Sequence, residues 1–274
     1  MDDKCYVLLI DILGFTELVN TKGADEILDI ITKFLGSFEW IEKMVKVNIS
    51  SIYFSDSVIL WQRNPAKEDF LKFTTASVLS FSHLLAYQIP CRGTITYGPF
   101  IVKPDISNKY DIFFGRALIE AYKAQSKEKW IGVTVCPSAV EHAGASIINK
   151  YAGGHFLIRN DKTLLLNPFL SIQRAYKKVT KKIVNQGLDW VRGTPLERFL
   201  LPELLAFKFI LETALTFSDR CDFSSKVASK YHSTVSFLQK VLPRGCFKWA
   251  QKMCNCVEMK FGKPLIIDPK KIID

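Results

Sequence analysis

An apolar run, Tyr6-Val7-Leu8-Leu9-Ile10, ends on a carboxylate, Asp11, and Ile12-Leu13-Gly14-Phe15-Thr16 follows it. Continuous apolar character over residues 4–11 makes this segment a strand, yet it carries a charge where a strand core should hold none. Gly14 and Thr16 then open a helix, behind which Ile27, Ile31, Phe34, Phe38 and Ile41 recur at helical spacing. A second lone carboxylate, Asp56, stands in Ile52-Tyr53-Phe54-Ser55-Asp56-Ser57-Val58-Ile59-Leu60, at the turn between two apolar strands. Leaving an unpaired carboxylate in either place costs several kcal/mol. A bound cation is the simplest reason for a chain to keep both.

The elements around these carboxylates limit the fold. Val45–Phe54 and Ser57–Trp61 read as paired strands joined by a tight Ser55-Asp56 turn, and Phe70, Phe73, Phe81 and Leu84 mark a second amphipathic helix. Residues 91–98, introduced by Pro90 and closed by Gly98-Pro99, form a fourth strand. The unit is βαββαβ, a ferredoxin-like order. There the first strand lies beside the hairpin of the second and third, so Asp11 and Asp56 converge across the intervening chain. Further on, Lys103–Lys109 reads as a flexible connection, Gly115 precedes a helix over Arg116–Gln125, Trp130–Cys136 is a buried strand, and Pro137 starts another helix. Gly153–Arg159 and Thr163–Leu166 flank Asn160-Asp161 as a small hairpin. From Pro168 on, stretches such as Pro202–Ser218 and Lys226–Val241 show helical periodicity and no strand signal. The expected fold class is α+β, with a ferredoxin-like core in residues 1–170 and a basic helical extension in 171–274.

Composition narrows the setting. The chain has 274 residues and is 48% apolar, enough to build a core without staples. No apolar run reaches the roughly 18 residues that span a bilayer, and Met1-Asp2-Asp3-Lys4 is not the basic start of a secretory signal, so a cytoplasmic protein without a membrane partner is expected. Seven cysteines without a C-x-x-C pair, Cys254-Asn255-Cys256 included, read as reduced thiols. The net charge of +10 belongs to residues 171–274, with 19 basic against 9 acidic side chains, while residues 1–170 balance at 18 each. Lys177-Lys178 and Lys181-Lys182 are spaced like a solvated helix face, so nucleic acid is not the expected partner. His83, His142, His155 and His232 show no ligand spacing. Walker A, G-x-G-x-x-G, H-E-x-x-H and G-x-S-x-G patterns are absent.

Paired carboxylates suit Mg²⁺ or Mn²⁺, hard cations that take few protein oxygens and complete their shell with water and phosphate. The carbonyl of Ile12 lies beside them. Gly14, Phe15 and Thr16 present backbone N–H groups at a helix start, where a triphosphate can be received. A metal-bound nucleoside triphosphate is therefore the expected ligand. Tyr53 and Phe54 beside the metal turn are core aromatics or the walls of a base pocket. Arg92, in an otherwise apolar strand, reaches phosphate or closes a strand-end ion pair.

Taken together, Ile10-Asp11-Ile12-Leu13-Gly14-Phe15-Thr16, Phe54-Ser55-Asp56-Ser57-Val58, Arg92-Gly93-Thr94-Ile95-Thr96-Tyr97-Gly98 and Gly115-Arg116-Ala117-Leu118-Ile119-Glu120-Ala121-Tyr122 resemble the motifs of the class III nucleotidyl cyclases, over about residues 5–136. The Ser-Asp turn, the Gly-x-Ala-Leu-x-x-Ala-Tyr helix and the helical extension look most like the pyrimidine cyclases of bacterial anti-phage systems. The resemblance implies conversion of UTP or CTP to a 3′,5′-cyclic monophosphate and pyrophosphate, with the product sensed by a separate effector protein. It implies two Mn²⁺ or Mg²⁺ ions per site held by Asp11, Asp56 and the Ile12 carbonyl, and a homodimer with sites between protomers. Nucleotide contacts would come from Tyr53, Phe54, Gly14, Phe15, Thr16 and Arg116, and catalytic charge from Lys123. The sequence also departs from the family. Ile52 and Ile112 stand at the adenine-reading positions, with Asp111 one residue away, and Ile119 and Lys123 replace the transition-state Asn and Arg. An adenylyl or guanylyl cyclase with an altered pocket, or a non-catalytic cyclase-like nucleotide-binding module, are the alternatives.

Overall fold

The central strand, β1 (Lys4–Ile12), is buried on both faces because two different layers cover it. Side chains alternate across a strand, and here Tyr6, Leu8, Ile10 and Ile12 enter a large core while Cys5, Val7 and Leu9 enter a smaller one. The structure is a computed structural model that describes residues 3–45, 48–104, 111–152, 154–178, 197–219, 226–242 and 244–261. Its first half contains α1 (Phe15–Thr21), α2 (Ala24–Val45), β2 (Ser50–Phe54), β3 (Ser57–Arg63), α3 (Asp69–Ala86) and β4 (Cys91–Pro99). β1 pairs antiparallel with both β3 and β4, as the βαββαβ order requires. A two-stranded sheet of β5 (Ile101–Pro104) and β6 (Asp111–Phe114) precedes α4 (Arg116–Lys127). Then come β7 (Gly132–Val135), α5 (Pro137–Ala143), α6 (Ala145–Tyr151), β8 (Phe156–Ile158) and β9 (Leu164–Leu166). The main sheet runs β2-β3-β1-β4-β7-β9-β8, with β4 and β7 parallel.

Three sequence expectations change. The helix behind Gly14 is two helices, because the chain turns extended at Lys22 ahead of Gly23. Val45 ends α2 and does not begin a strand: apolar residues continue the helical face to that point, and β2 starts only at Ser50. Lys103 and Pro104, expected in a flexible connection, pair in register with Ile112 and Asp111. Residues 105–110 of that connection lie outside the described residues.

The C-terminal elements are α7 (Leu170–Lys178), α8 (Glu197–Asp219), α9 (Lys226–Val241) and α10 (Arg244–Phe261). Lys181-Lys182 falls outside the described residues. α8 packs on α3, so α3 is covered on two sides and buries Phe70, Phe73, Phe81, Leu84 and Leu85 together with Thr74, Ser77 and Ser82. Those hydroxyls bond the carbonyls of Phe70, Phe73 and Val78, which satisfies polar groups that burial would otherwise penalise. Leu204, Phe207, Ile210, Phe237 and Trp249 join the same core as Leu8 and Ile10. α9 is also tied to the sheet side by the Thr234 hydroxyl, which accepts from the Ile131 N–H at 2.8 Å. Five cysteines, Cys5, Cys91, Cys136, Cys246 and Cys254, are free and buried. No described helix is long and apolar enough to cross a membrane.

Candidate active site

Strand register places a row of side chains across the sheet. Phe54 pairs with Ser57, Ser57 with Asp11, Asp11 with Arg92, and Arg92 with Gly132. Directly paired residues share a face, so Phe54, Ser57, Asp11 and Arg92 all face the side that α4 covers. Asp56 sits in the turn beyond this row, with Ser55 at φ 52°, and its carbonyl accepts the Ile12 N–H at 3.0 Å. That bond fastens the hairpin turn to the end of β1. Leu13 N–H donates to the Pro90 carbonyl at 2.8 Å, which fixes the other flank.

The Asp56 carboxyl lies near enough to Asp11 to act on its charge. Burial raises the Asp11 pKa above the ordinary carboxylate range; the Arg92 guanidinium pulls it down, and the Asp56 charge and hydrogen bond push it up again. Arg92 donates to Asp11 Oδ2 from Nε at 3.0 Å and from Nη2 at 2.9 Å. Of the two readings of Arg92, this is the strand-end ion pair. Gln125 of α4 completes the arrangement: its carbonyl accepts from Arg92 Nη1 at 3.4 Å, while its buried amide donates to the carbonyls of Leu9 at 3.4 Å and Arg92 at 3.1 Å. Gln125 escaped sequence reasoning, and its signal was there: a polar residue on the same helical face as Ala117 and Ala121.

Gly14 caps α1 with φ 77°, a left-handed conformation that glycine adopts without strain, and nothing stands within 4 Å of where its Cβ would be. Phe15 and Thr16 follow in the first turn of α1, together with the acidic Glu17. Phe54 stacks on Phe113 of β6, ring centroids 6.0 Å apart. Tyr53 points to the other face, where it lines a small void with Phe38, Phe73 and Ser77 beneath α2 and α3. Ile52 is half-buried against the α4-side core, and Ile112 is exposed.

Arg116 and Lys123 are exposed on α4 and line a separate groove of about 520 Å³, between α4 and the β8–β9 hairpin. Lys127, Glu120 and Asp161 share it, and at its edge the buried Glu128 takes two hydrogen bonds from Arg159, at 2.8 and 3.0 Å. Within the chain, then, the carboxylates occupy one place and the cations Arg116 and Lys123 another. No cluster of three or more acidic, histidine or cysteine ligands occurs among the described residues. The pair Asp11 and Asp56, like charges held together, is the donor set that fits a hard divalent cation, with Arg92 as the cation already beside it.

No protein-family model matches the chain, and no characterised protein matches it by sequence. Solved structures do match by shape. The adenylyl cyclase CyaB of P. aeruginosa aligns with a TM-score of 0.51 at 16% identity, over 61% of this chain and 95% of that one. The non-canonical dimeric guanylyl cyclase domain of the RhoGC fusion protein from the aquatic fungus Blastocladiella emersonii aligns at 0.48 and 13% identity, over 60% and 96%. On the CyaB match, the aligned 61% of this chain has the fold of that adenylyl cyclase.

Proposed function

We propose that this protein is a nucleotidyl cyclase that converts UTP or CTP to the 3′,5′-cyclic monophosphate, releasing pyrophosphate. The observation that supports the proposal is that the Asp56 turn is fastened to the end of β1 beside Asp11, Ile12 N–H donating to the Asp56 carbonyl at 3.0 Å, on a fold like that of an adenylyl cyclase. Asp11, Asp56 and the Ile12 carbonyl would hold Mg²⁺ or Mn²⁺, two ions per site. Such ions supply Lewis-acid polarisation of the α-phosphate and a lowered pKa for the ribose 3′-OH. The chain's own part is to orient the 3′-OH in line with the α-phosphorus, receive the triphosphate near Gly14, Phe15 and Thr16, and place cationic side chains, Arg116 and Lys123, against the phosphate charge.

Pyrimidine choice is supported by what the base-side positions lack. Ile52 and Ile112 can neither donate nor accept a hydrogen bond, and the stacked Phe54–Phe113 pair offers a π surface on the Asp11 face. A homodimer is supported by exposed large apolar side chains on neighbouring elements: Ile112 and Phe114 on β6, and Ile119 and Tyr122 on α4, Tyr122 by 70%. In the arrangement the resemblance implies, pairing of two protomers would set Arg116 and Lys123 of one against the carboxylates of the other. A role in anti-phage defence, through a separate effector that reads the cyclic product, follows from the resemblance of the motifs, and cytoplasmic location fits it.

The test is to incubate the purified protein with each of the four ribonucleoside triphosphates and Mn²⁺, and to read the cyclic product by mass. Cyclic UMP or cyclic CMP is expected; cyclic AMP or GMP as the main product refutes the pyrimidine assignment. A second reading, a nucleotide-binding module without turnover, is favoured by the guanidinium seated on Asp11. Nucleotide binding with no cyclic product from any of the four substrates would establish it.

A further inference from the structure

We infer that Arg92 is the resident counter-cation of Asp11, occupying that carboxylate until a divalent ion takes it over, and that Gln125 of α4 holds Arg92 in place. The inference rests on reading Asp11 as an ion ligand in the proposed cyclase. Its basis is the way the guanidinium is bound. Nε and Nη2 both address the same oxygen, Oδ2, so the planar fork grips one oxygen of the carboxylate and takes no hold on the other. Charge-assisted contacts of this kind are among the stronger hydrogen bonds. With its pair of Asp11 contacts and the bond to the Gln125 carbonyl, Arg92 is fixed by three donors.

Gln125 makes the arrangement more than a chance strand-end pair. It is buried, and its amide bonds one carbonyl on β1, that of Leu9, and one on β4, that of Arg92 itself. The two strands that bear the ion pair are thus stitched to the helix that lies over them. That same helix carries Ile119 and Tyr122 on its exposed side. Seating of a partner on α4 and the hold of Arg92 on Asp11 therefore share one element.

A divalent ion arriving at Asp11 must either displace the guanidinium or tolerate a positive charge beside it. In both cases Arg92 weakens binding, and its removal strengthens it. The experiment titrates Mn²⁺ into the full-length protein without nucleotide and reads free Mn²⁺ by its electron paramagnetic resonance signal. Asp11→Asn is expected to abolish the site, and Arg92→Gln to tighten it by about tenfold or more in Kd, each tenfold being about 1.4 kcal/mol. Arg92→Lys keeps the charge but not the fork, and should tighten binding by a smaller factor. Should Arg92→Gln fail to fold, Arg92→Lys decides alone. Loss of the site in Asp11→Asn together with unchanged or weaker Mn²⁺ binding in the Arg92 variants overturns this inference and leaves the cyclase reading standing. Equal Mn²⁺ binding in the wild type and Asp11→Asn overturns the reading itself.

Discussion

Asp11 at the end of β1 and Glu203 in α8 are both drawn into this protein, and burial raises the pKa of each above the usual range. Their partners differ. Glu203 is 1% exposed and accepts the N–H of Ser171 at 2.9 Å and of Ile172 at 2.8 Å, one on each oxygen, at the start of α7. Backbone donors at a helix start are fixed by the fold, and they satisfy an acid that cannot reach water. Asp11 instead meets a side-chain guanidinium on one oxygen and another carboxyl nearby. A carboxylate with both oxygens on fixed donors builds structure. One held by an exchangeable side chain next to a like charge retains capacity for a ligand.

The sharpest way to break this contrast is to neutralise each acid in turn. Asp11→Asn and Asp56→Asn should each lower cyclase turnover by about 10³-fold, the loss of several kcal/mol of charge stabilisation, with the thermal midpoint little changed. Glu203→Ala should do the reverse: it leaves two buried N–H groups unpaired and costs roughly 3 kcal/mol of stability, read by urea unfolding, while the folded fraction keeps its turnover. If Asp11→Asn unfolds the chain and Glu203→Ala does not, the assignment of roles is inverted.

pH separates the two acids further. The Glu203 pKa rises from 4.5 unfolded to about 7 folded, chiefly because burial disfavours its charged form. A raised folded pKa means the native state binds the proton more tightly than the unfolded chain. The stability it contributes is complete below about pH 4.5 and is lost as pH climbs through about 7. Over that window the wild type should lose up to roughly 3 kcal/mol that Glu203→Gln does not lose, at about 1.4 kcal/mol per unit. Urea unfolding of both proteins at several pH values checks the slope. Parallel curves would show that Glu203 does not titrate in this range.

The contrast also marks what could be read from residues alone. Asp11 and Asp56 announced themselves because one ends a continuous apolar run and the other stands alone at a turn between apolar strands, and the βαββ order brings such positions together by topology. The hairpin Gly153–Arg159 and Thr163–Leu166 was legible from its Asn160-Asp161 turn dipeptide, although its docking on β7 through β9 was not, since local pattern carries no record of which edge a hairpin joins. Glu203 and Gln125 stayed hidden. Each sits at an ordinary helical spacing, and only the packing of α8 against α7, or of α4 against β1 and β4, turns a polar residue into a buried one with defined partners. The β5–β6 pair was hidden because Lys103 and Pro104 read as loop, although both pair across to β6. Continuous burial of α3 beneath α8 was likewise a tertiary fact: its serines and threonines look solvent-facing until their hydroxyls are seen to bond the preceding turn.

The same contrast recurs, smaller, between adjacent residues of β2. Phe54 faces the Asp11 side and stacks on Phe113, while Tyr53 lines the void under α2 and α3. Phe54 is 44% exposed, so truncation to Ala forfeits little buried area, and the stability cost should be about 1 kcal/mol, mostly the ring pair. Its effect should appear in substrate binding. A stacking surface for a base is worth about 1–3 kcal/mol, so, on the proposed function, Phe54→Ala should raise KM for the nucleoside triphosphate by roughly tenfold and leave kcat nearly unchanged, the signature of lost uniform binding. Tyr53→Phe, altered on the opposite face, should leave KM where it was. Steady-state kinetics of the two variants side by side measure the difference. A matched KM rise in both would mean that the face shared by Phe54 and Asp11 is not the one that meets the base.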